Sequence, residues 1–292
     1  MCRIFGFRSV LDSHVHRSLL DADNALAVQS ERHPDGWGVA YYVAGSPHLV
    51  RAAGTAMSDH LFHRVSGVVT SQTVLAHIRK ATQGDLHALN CHPFQYGRWV
   101  MAHNGDVPGF NDIRDELLSH VGSRYRPFLL GETDSEVIFL VFMTHLAKLV
   151  DPTRRGTPVE SVVDALRSTV ATVRQVADGR PGFTPALLSL VVTDGELMVA
   201  HQGGRSLHWT SYKVGCSERD ACAFFSPECE APTRTGYVNH LIVSSEPLQG
   251  ENVWVELSPG DVVAVDTFMR LHHFPSPDQA TSPTVPCAAS AC

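Results

Sequence analysis

Cysteine at position 2 is the first residue able to do chemistry. If Met1 is removed, Cys2 carries a thiol and a free α-amine on one residue. An α-amine has a reference pKa of about 7.7–8.0 and takes the thiol proton directly or through one water, so nucleophile and base coincide. The competing reading is a small buried residue on an edge strand.

Asn104-Gly105, within Met101-Ala102-His103-Asn104-Gly105, is the second candidate. Asn-Gly is the strongest short hairpin signal. A hairpin needs a second alternating strand, however, and Asp106-Val107-Pro108-Gly109 leads into a helical pattern instead. The other reading is an unpaired strand end, where an Asn amide and a Gly N–H face a developing oxyanion. Such donors are worth about 10²–10³ in rate apiece.

Asp134 and Arg79 supply charge. Asp134 opens a helical pattern, where it favours the helix dipole; the same position keeps the carboxylate ionised and aimed outward to meet an ammonium. Arg79, on the same strand face as His77, offers a planar fork that grips a carboxylate by two bonds, or else forms a surface ion pair. An Arg for a carboxylate, an Asp for an ammonium, and a thiol with oxyanion donors together describe a site for an amino-acid head group whose distant amide is attacked.

Longer motifs surround these residues: Cys2-Arg3-Ile4-Phe5-Gly6, His33-Pro34-Asp35-Gly36-Trp37-Gly38, His77-Ile78-Arg79-Lys80-Ala81-Thr82-Gln83-Gly84, Asn90-Cys91-His92-Pro93-Phe94, His103-Asn104-Gly105, Thr133-Asp134-Ser135-Glu136 and Ser244-Ser245-Glu246-Pro247-Leu248. In this order they resemble the class II glutamine amidotransferases, a family of N-terminal-nucleophile hydrolases. The likeness is to the small stand-alone members, such as the γ-glutamyl amidohydrolases of ergothioneine biosynthesis, and it spans roughly residues 2 to 266. Lys80 and Gln83 depart from the larger synthases, which often carry Trp and His there.

The resemblance implies an α+β fold, a four-layer αββα sandwich, with Cys2 as nucleophile. It assigns Asn104 and Gly105 to the oxyanion, Arg79 and Thr82 to the substrate carboxylate and Asp134 to the α-amine, and groups His103 with the substrate-binding residues. It implies cleavage of a γ-glutamyl amide through a cysteine thioester, with no cofactor and no metal. The substrate is then glutamine or another γ-glutamyl amide; alternatively, the chain is the glutaminase subunit of a separate synthase partner, or a non-catalytic glutamine-binding relative. A rival reading makes His77, His92, His103 and Cys91 a metallohydrolase site, although no H-x-x-x-H helix is present.

The elements that must position these residues are legible in outline. Cys2–Phe7, Gly36–Ala44, His48–Ala53 and Trp99–His103 read as strands. Thr73–Arg79 alternates, with Val74, Ala76 and Ile78 on one face and Leu75, His77 and Arg79 on the other. Leu19–Glu31, Phe110–Val121 and Pro158–Asp178 read as helices. Thr133 and Glu136 have the spacing of a capping box. Ala186–Thr193 and Glu196–His201 make a hairpin on Asp194-Gly195. Leu241–Ser244, Val253–Leu257 and Asp261–Val265 complete the strands. One domain over residues 2–270 and a disordered tail over 271–292 are expected.

The 292 residues carry a net charge of −7, which argues against a basic face for nucleic acid or an anionic membrane. The longest apolar run, Val137 to Met143, is far below the roughly 20 residues of a membrane helix. The first residues lack a basic-then-apolar signal region, so a cytoplasmic location is expected. The seven cysteines include no C-x-x-C pair, and Cys216, Cys222 and Cys229 read as free thiols on a loop.

Overall fold

The alternation at Thr73–Arg79 is realised as a strand buried on both faces, and two sheets and two helical layers follow from it. A computed structural model of the chain describes residues 2–217 and 219–277. In chain order its elements are β1 (Arg3–His14), α1 (Leu26–Gln29), β2 (Gly36–Val43), β3 (Ser46–Ala52), α2 (His60–Val68), β4 (Thr70–Arg79), β5 (Phe94–Tyr96) and β6 (Trp99–Asp106). There follow α3 (Phe110–Ser119), α4 (Asp134–Leu149), α5 (Val159–Ala177), β7 (Leu187–Thr193), β8 (Met198–His201) and β9 (His208–Thr210). The last are β10 (His240–Ser244), β11 (Val255–Glu256), β12 (Val262–Val265) and β13 (Leu271–Phe274).

The first sheet runs β11-β9-β10-β1-β4-β2-β3 and the second β13-β12-β8-β7-β6-β5. All the pairings are antiparallel. On one face of β4, Val74, Ala76 and Ile78 pack with Phe5, Trp37 and Val39 under Leu19, Leu26 and Phe62. On the other face, Leu75 joins Ile4 and Ala40 against Val100, Ala102, Val191, Met198 and Ala200 of the second sheet. The far side of that sheet is covered by α3, α4 and α5 through residues such as Phe110, Leu117, Phe139, Phe142, Leu166 and Val173. The order helices, sheet, sheet, helices is the four-layer αββα sandwich, and the fold is α+β.

Several expectations need correcting. Leu19–Glu31 is not one helix: a turn at Arg17–Asp21 and the four-residue α1 replace it. Between them Asn24 is held by the 247–249 segment, donating to Pro247 O (2.8 Å) and accepting from Gln249 N (2.9 Å), and this tertiary anchor breaks the helix. Val253–Leu257 pairs only at Val255–Glu256. Leu271–Phe274, assigned by sequence to the tail, forms β13 on β12; the tail from 278 on lies outside the described residues. Among the described residues no helix is long and apolar enough to cross a membrane.

Candidate active site

Cys2 sits immediately before β1, the strand flanked by β10 and β4 in the middle of the first sheet. Antiparallel pairing sets Arg3 opposite Ile78 and Ile4 opposite His77, which brings the end of β4 beside the thiol. The Cys2 Sγ accepts the Lys80 N–H at 3.4 Å and lies 3.5 Å from the Lys80 carbonyl. Burial pushes the thiol pKa up; the Lys80 N–H and the Arg79 charge oppose the rise and Asp134 adds to it. The guanidinium and the carboxylate, from two other motifs, therefore each act on the thiol electrostatically.

The turn beside the thiol is held from β2. Asp35 Oδ2 accepts the Ala81 N–H at 2.8 Å, and the Asp35 N–H donates to the Arg79 carbonyl at 3.2 Å. Gly38 lets the 91–93 segment lie on β2, since a Cβ there would come within 2.1 Å of the His92 carbonyl.

Asn104 and Gly105 lie in the second sheet, and the hairpin reading does not hold. β6 continues to Asp106 and pairs on one edge with β7, Asn104 opposite Ser189 and Gly105 opposite Leu188, while on its other edge β5 pairs with it only as far as Met101. Glycine is required at 105 by close approach. A Cβ would lie 1.7 Å from the Leu187 carbonyl and 2.3 Å from His103 Nε2, on the path of the 2.8 Å hydrogen bond between those two atoms. The Asn104 side chain is buried, and its Nδ2 donates to Ser245 Oγ at 3.3 Å.

Asp134 is the first residue of α4, and Thr133 caps the helix through Oγ1, which accepts the Glu136 N–H at 3.2 Å. The other half of the expected capping box is redirected. The Glu136 carboxylate accepts the N–H groups of Leu130 (3.1 Å) and Gly131 (2.6 Å), fastening the preceding loop. Asp134 does not point outward: it is 3% exposed. Its Oδ2 accepts the Val107 N–H at 2.9 Å, and its Oδ1 the Ser135 N–H at 2.7 Å and hydroxyl at 3.0 Å. Burial raises its pKa, opposed by His103 and the Val107 N–H.

His103 uses both ring nitrogens on the protein, Nδ1 with Ser135 Oγ at 2.8 Å and Nε2 with Leu187 O. Neither is left for a substrate, contrary to its grouping with the substrate-binding residues. The ring acts instead through Ser135 on Asp134.

Arg79 is buried at the end of β4 and forms no surface ion pair. Its Nη2 donates to the carbonyls of Gln83 (2.7 Å) and Gly84 (3.1 Å), and its Nη1 to that of Asp85 (3.1 Å). Thr82 in the same loop is exposed. Asn90, to which the sequence attached no role, ties this loop to the one before α4. Its Nδ2 donates to Asp85 O (3.0 Å) and Glu132 Oε2 (3.4 Å), and its Oδ1 accepts the Glu132 N–H (2.8 Å). The signal for it was a buried, fully bonded Asn between loops, which only long-range contacts reveal.

The histidines of the metallohydrolase reading pack together between the sheets. The His77 and His92 rings are 4.1 Å apart. Burial pushes His77 down to about 3 and His92 well below its ordinary value, so both are neutral. The His77 Nε2–H donates to His103 O at 3.2 Å. Cys91 bonds elsewhere, to the carbonyls of Ala52 and His87. Among the described residues no three His, Cys, Asp or Glu side chains are placed to hold a metal ion.

Comparison with known proteins bears on the family and the fold. Residues 1–284 match the family model of the class II glutamine amidotransferases. The chain is 33% identical over 223 residues to the probable glutamine amidotransferase DUG3 of Saccharomyces cerevisiae, a match covering 68% of this chain and 62% of that protein. It is 34% identical over 117 residues to a γ-glutamyl-hercynylcysteine sulfoxide hydrolase of Mycobacterium tuberculosis, covering 37% of this chain and 50% of the relative. These matches thus span about half to three-fifths of the relatives' own length. In fold, the chain resembles a glutamine aminotransferase class-II domain protein from Silicibacter pomeroyi, with a TM-score of 0.64 and 22% identity over 94% of this chain and 99% of that one. With the family model matched over nearly the whole chain, this protein belongs to the class II glutamine amidotransferases.

Proposed function

We propose that the protein cleaves a γ-glutamyl amide through a thioester on Cys2, exposed as the first residue when Met1 is removed. The observation that carries this reading is the meeting of separate motifs: the Cys2 Sγ accepts the N–H of Lys80, the residue after Arg79, Asp134 is bonded to Val107 just past Gly105, and Asn104 reaches through Ser245 to Ile4, two residues from the nucleophile. A guanidinium has five N–H donors, and three of the Arg79 contacts go to loop carbonyls, so two remain for the α-carboxylate beside the Thr82 hydroxyl. The Asp134 carboxylate has about four acceptor sites, three of them in use, which leaves one for the α-ammonium.

The α-amine of Cys2 takes the thiol proton, and the sulfur adds to the γ-carbonyl carbon. The negative charge on the carbonyl oxygen is received by the Asn104 amide and the Gly105 N–H. The C–N bond then breaks, and the proton held on the α-amine passes to the departing nitrogen. Water adds to the thioester, releasing glutamate and restoring the thiol. His103 orients Asp134 through Ser135 and takes no part in proton transfer. No step needs a metal or an organic cofactor. The M. tuberculosis relative, by its name, hydrolyses a γ-glutamyl compound, and the head-group residues suit any substrate of that class.

The test is a panel of glutamine, glutathione and larger γ-glutamyl amides given to protein with a verified Cys2 terminus, with glutamate release measured for each. Preference for a γ-glutamyl amide over glutamine assigns the amidohydrolase role. Preference for glutamine alone assigns ammonia supply to a separate synthase partner. Glutamine binding with no release from any substrate contradicts both.

A further inference from the structure

Ser245 lies just past the end of β10, in the Ser244-Ser245-Glu246-Pro247-Leu248 segment to which the mechanism assigns nothing. Its Oγ accepts the Ile4 N–H at 2.9 Å and an Asn104 Nδ2–H at 3.3 Å, while its own N–H donates to the Ile4 carbonyl at 3.1 Å. Ile4 is two residues from the nucleophile on the first sheet; Asn104 is on the second. One hydroxyl therefore spans the two sheets at the point where nucleophile and oxyanion donor must meet.

A carboxamide has two N–H donors and one carbonyl acceptor on the same planar group. With one Nδ2–H on Ser245, the second is left for the developing oxyanion. A rotated amide would present its carbonyl there instead, setting oxygen against oxyanion. Donors fixed before reaction need no reorganisation when charge develops, and this fixity is the source of their effect. We propose that Ser245 is a positioning residue that holds the Asn104 amide, in register with the strand bearing Cys2, in its oxyanion-donating orientation. The proposal rests on the reading of Cys2 as nucleophile and Asn104 as oxyanion donor.

Four variants test it on the best substrate of the panel: Ser245→Ala, Ser245→Thr, Asn104→Ala and the double variant Ser245→Ala/Asn104→Ala. Ser245→Ala is expected to lower kcat about tenfold with KM within about twofold, a loss made only in the transition state. Affinity for the γ-aldehyde analogue of glutamate, which adds to the thiol and places an oxygen at the oxyanion position, falls by the same factor, while affinity for glutamate itself holds. Ser245→Thr keeps the oxygen and restores most of kcat. The double variant is no slower than Asn104→Ala, because without the amide there is nothing to orient.

An undiminished Ser245→Ala loss in the Asn104→Ala background overturns the proposal and leaves a structural role through Ile4. A change in KM and glutamate affinity with kcat intact does the same. Full turnover by Asn104→Ala overturns the underlying reading, and the proposal falls with it.

Discussion

Arg79 and Asn90 donate to one and the same carbonyl, that of Asp85, at 3.1 and 3.0 Å. The guanidinium proposed to receive the substrate carboxylate is thereby joined, through Asn90 and Glu132, to the loop that starts the helix of Asp134. The two ends of the proposed head-group site are thus tied by the buried Asn90 amide, beside a direct bond from the Asp85 N–H to Glu132 Oε2 at 3.3 Å.

Asn90→Ala removes that amide and leaves the Glu132 N–H without its acceptor. Loss of a buried hydrogen-bonded group costs about 1–3 kcal/mol. The expected result is a KM about tenfold higher for every γ-glutamyl substrate, with kcat changed much less, read from steady-state glutamate release. An unchanged KM would show that the two loops hold their spacing without it.

Asp134→Asn keeps the shape and removes the charge. KM is expected to rise about 10- to 100-fold, since hydrogen bonds to charged groups are worth about 1.5–3 kcal/mol. The melting temperature falls by several degrees, because the Asn amide NH2 must face either the Val107 or the Ser135 N–H. The pH dependence has a definite sign. Burial raises the Asp134 pKa, and the protonated acid cannot receive an ammonium, so the wild-type KM climbs as pH falls through that raised value. In Asp134→Asn that climb is absent.

Gly105→Ala forces a methyl group onto the Leu187 carbonyl and the His103 ring. Overpacking of this kind costs typically about 1–3 kcal/mol and more where backbone must yield. A clearly lowered urea midpoint together with lost turnover is expected; a variant of wild-type stability would mean that β6 and β7 separate freely there.

Buried histidines set the acid limb of stability. His77 is held at about 3 and His201 at about 4, both pushed down by burial, with His92 also well below its ordinary value. A group whose pKa is lower folded than unfolded binds more protons unfolded, so stability is lost as pH falls below about 6.5, by up to ~1.4 kcal/mol per unit for each group. The raised carboxyls of Asp134, Glu136 and Asp194 act in the opposite sense at lower pH. The clean comparison is His201→Gln, on β8 away from the thiol. Its urea midpoint is expected to fall less than that of the wild type between pH 7 and pH 5, and an equal fall would deny the burial effect.

Local chemistry made much of this legible in sequence. The β4 alternation placed Val74, Ala76 and Ile78 on one face and Leu75 on the other, as found in the two core clusters. Asp194-Gly195 joins β7 to β8, with Gly195 at φ +90°, and Thr133 caps α4. What was not legible depends on distant partners. β5, β9 and β13 are strands of three or four residues that exist because a longer neighbour completes their hydrogen bonds. Helix α2 has few buried residues to mark its period. Asn104-Gly105 has the composition of a turn, yet β7 holds it as strand. Asn90 and Ser245 are small polar residues whose importance lies wholly in what the fold sets beside them.

The most direct test of the central claim is the intact mass and peptide mapping of active protein after reaction with a glutamine analogue bearing an electrophilic γ-carbon. The account predicts a chain that begins at Cys2, modified once on that sulfur, with activity lost in proportion to labelling. Full activity from protein that retains Met1, or inactivating label on any other residue, would contradict it.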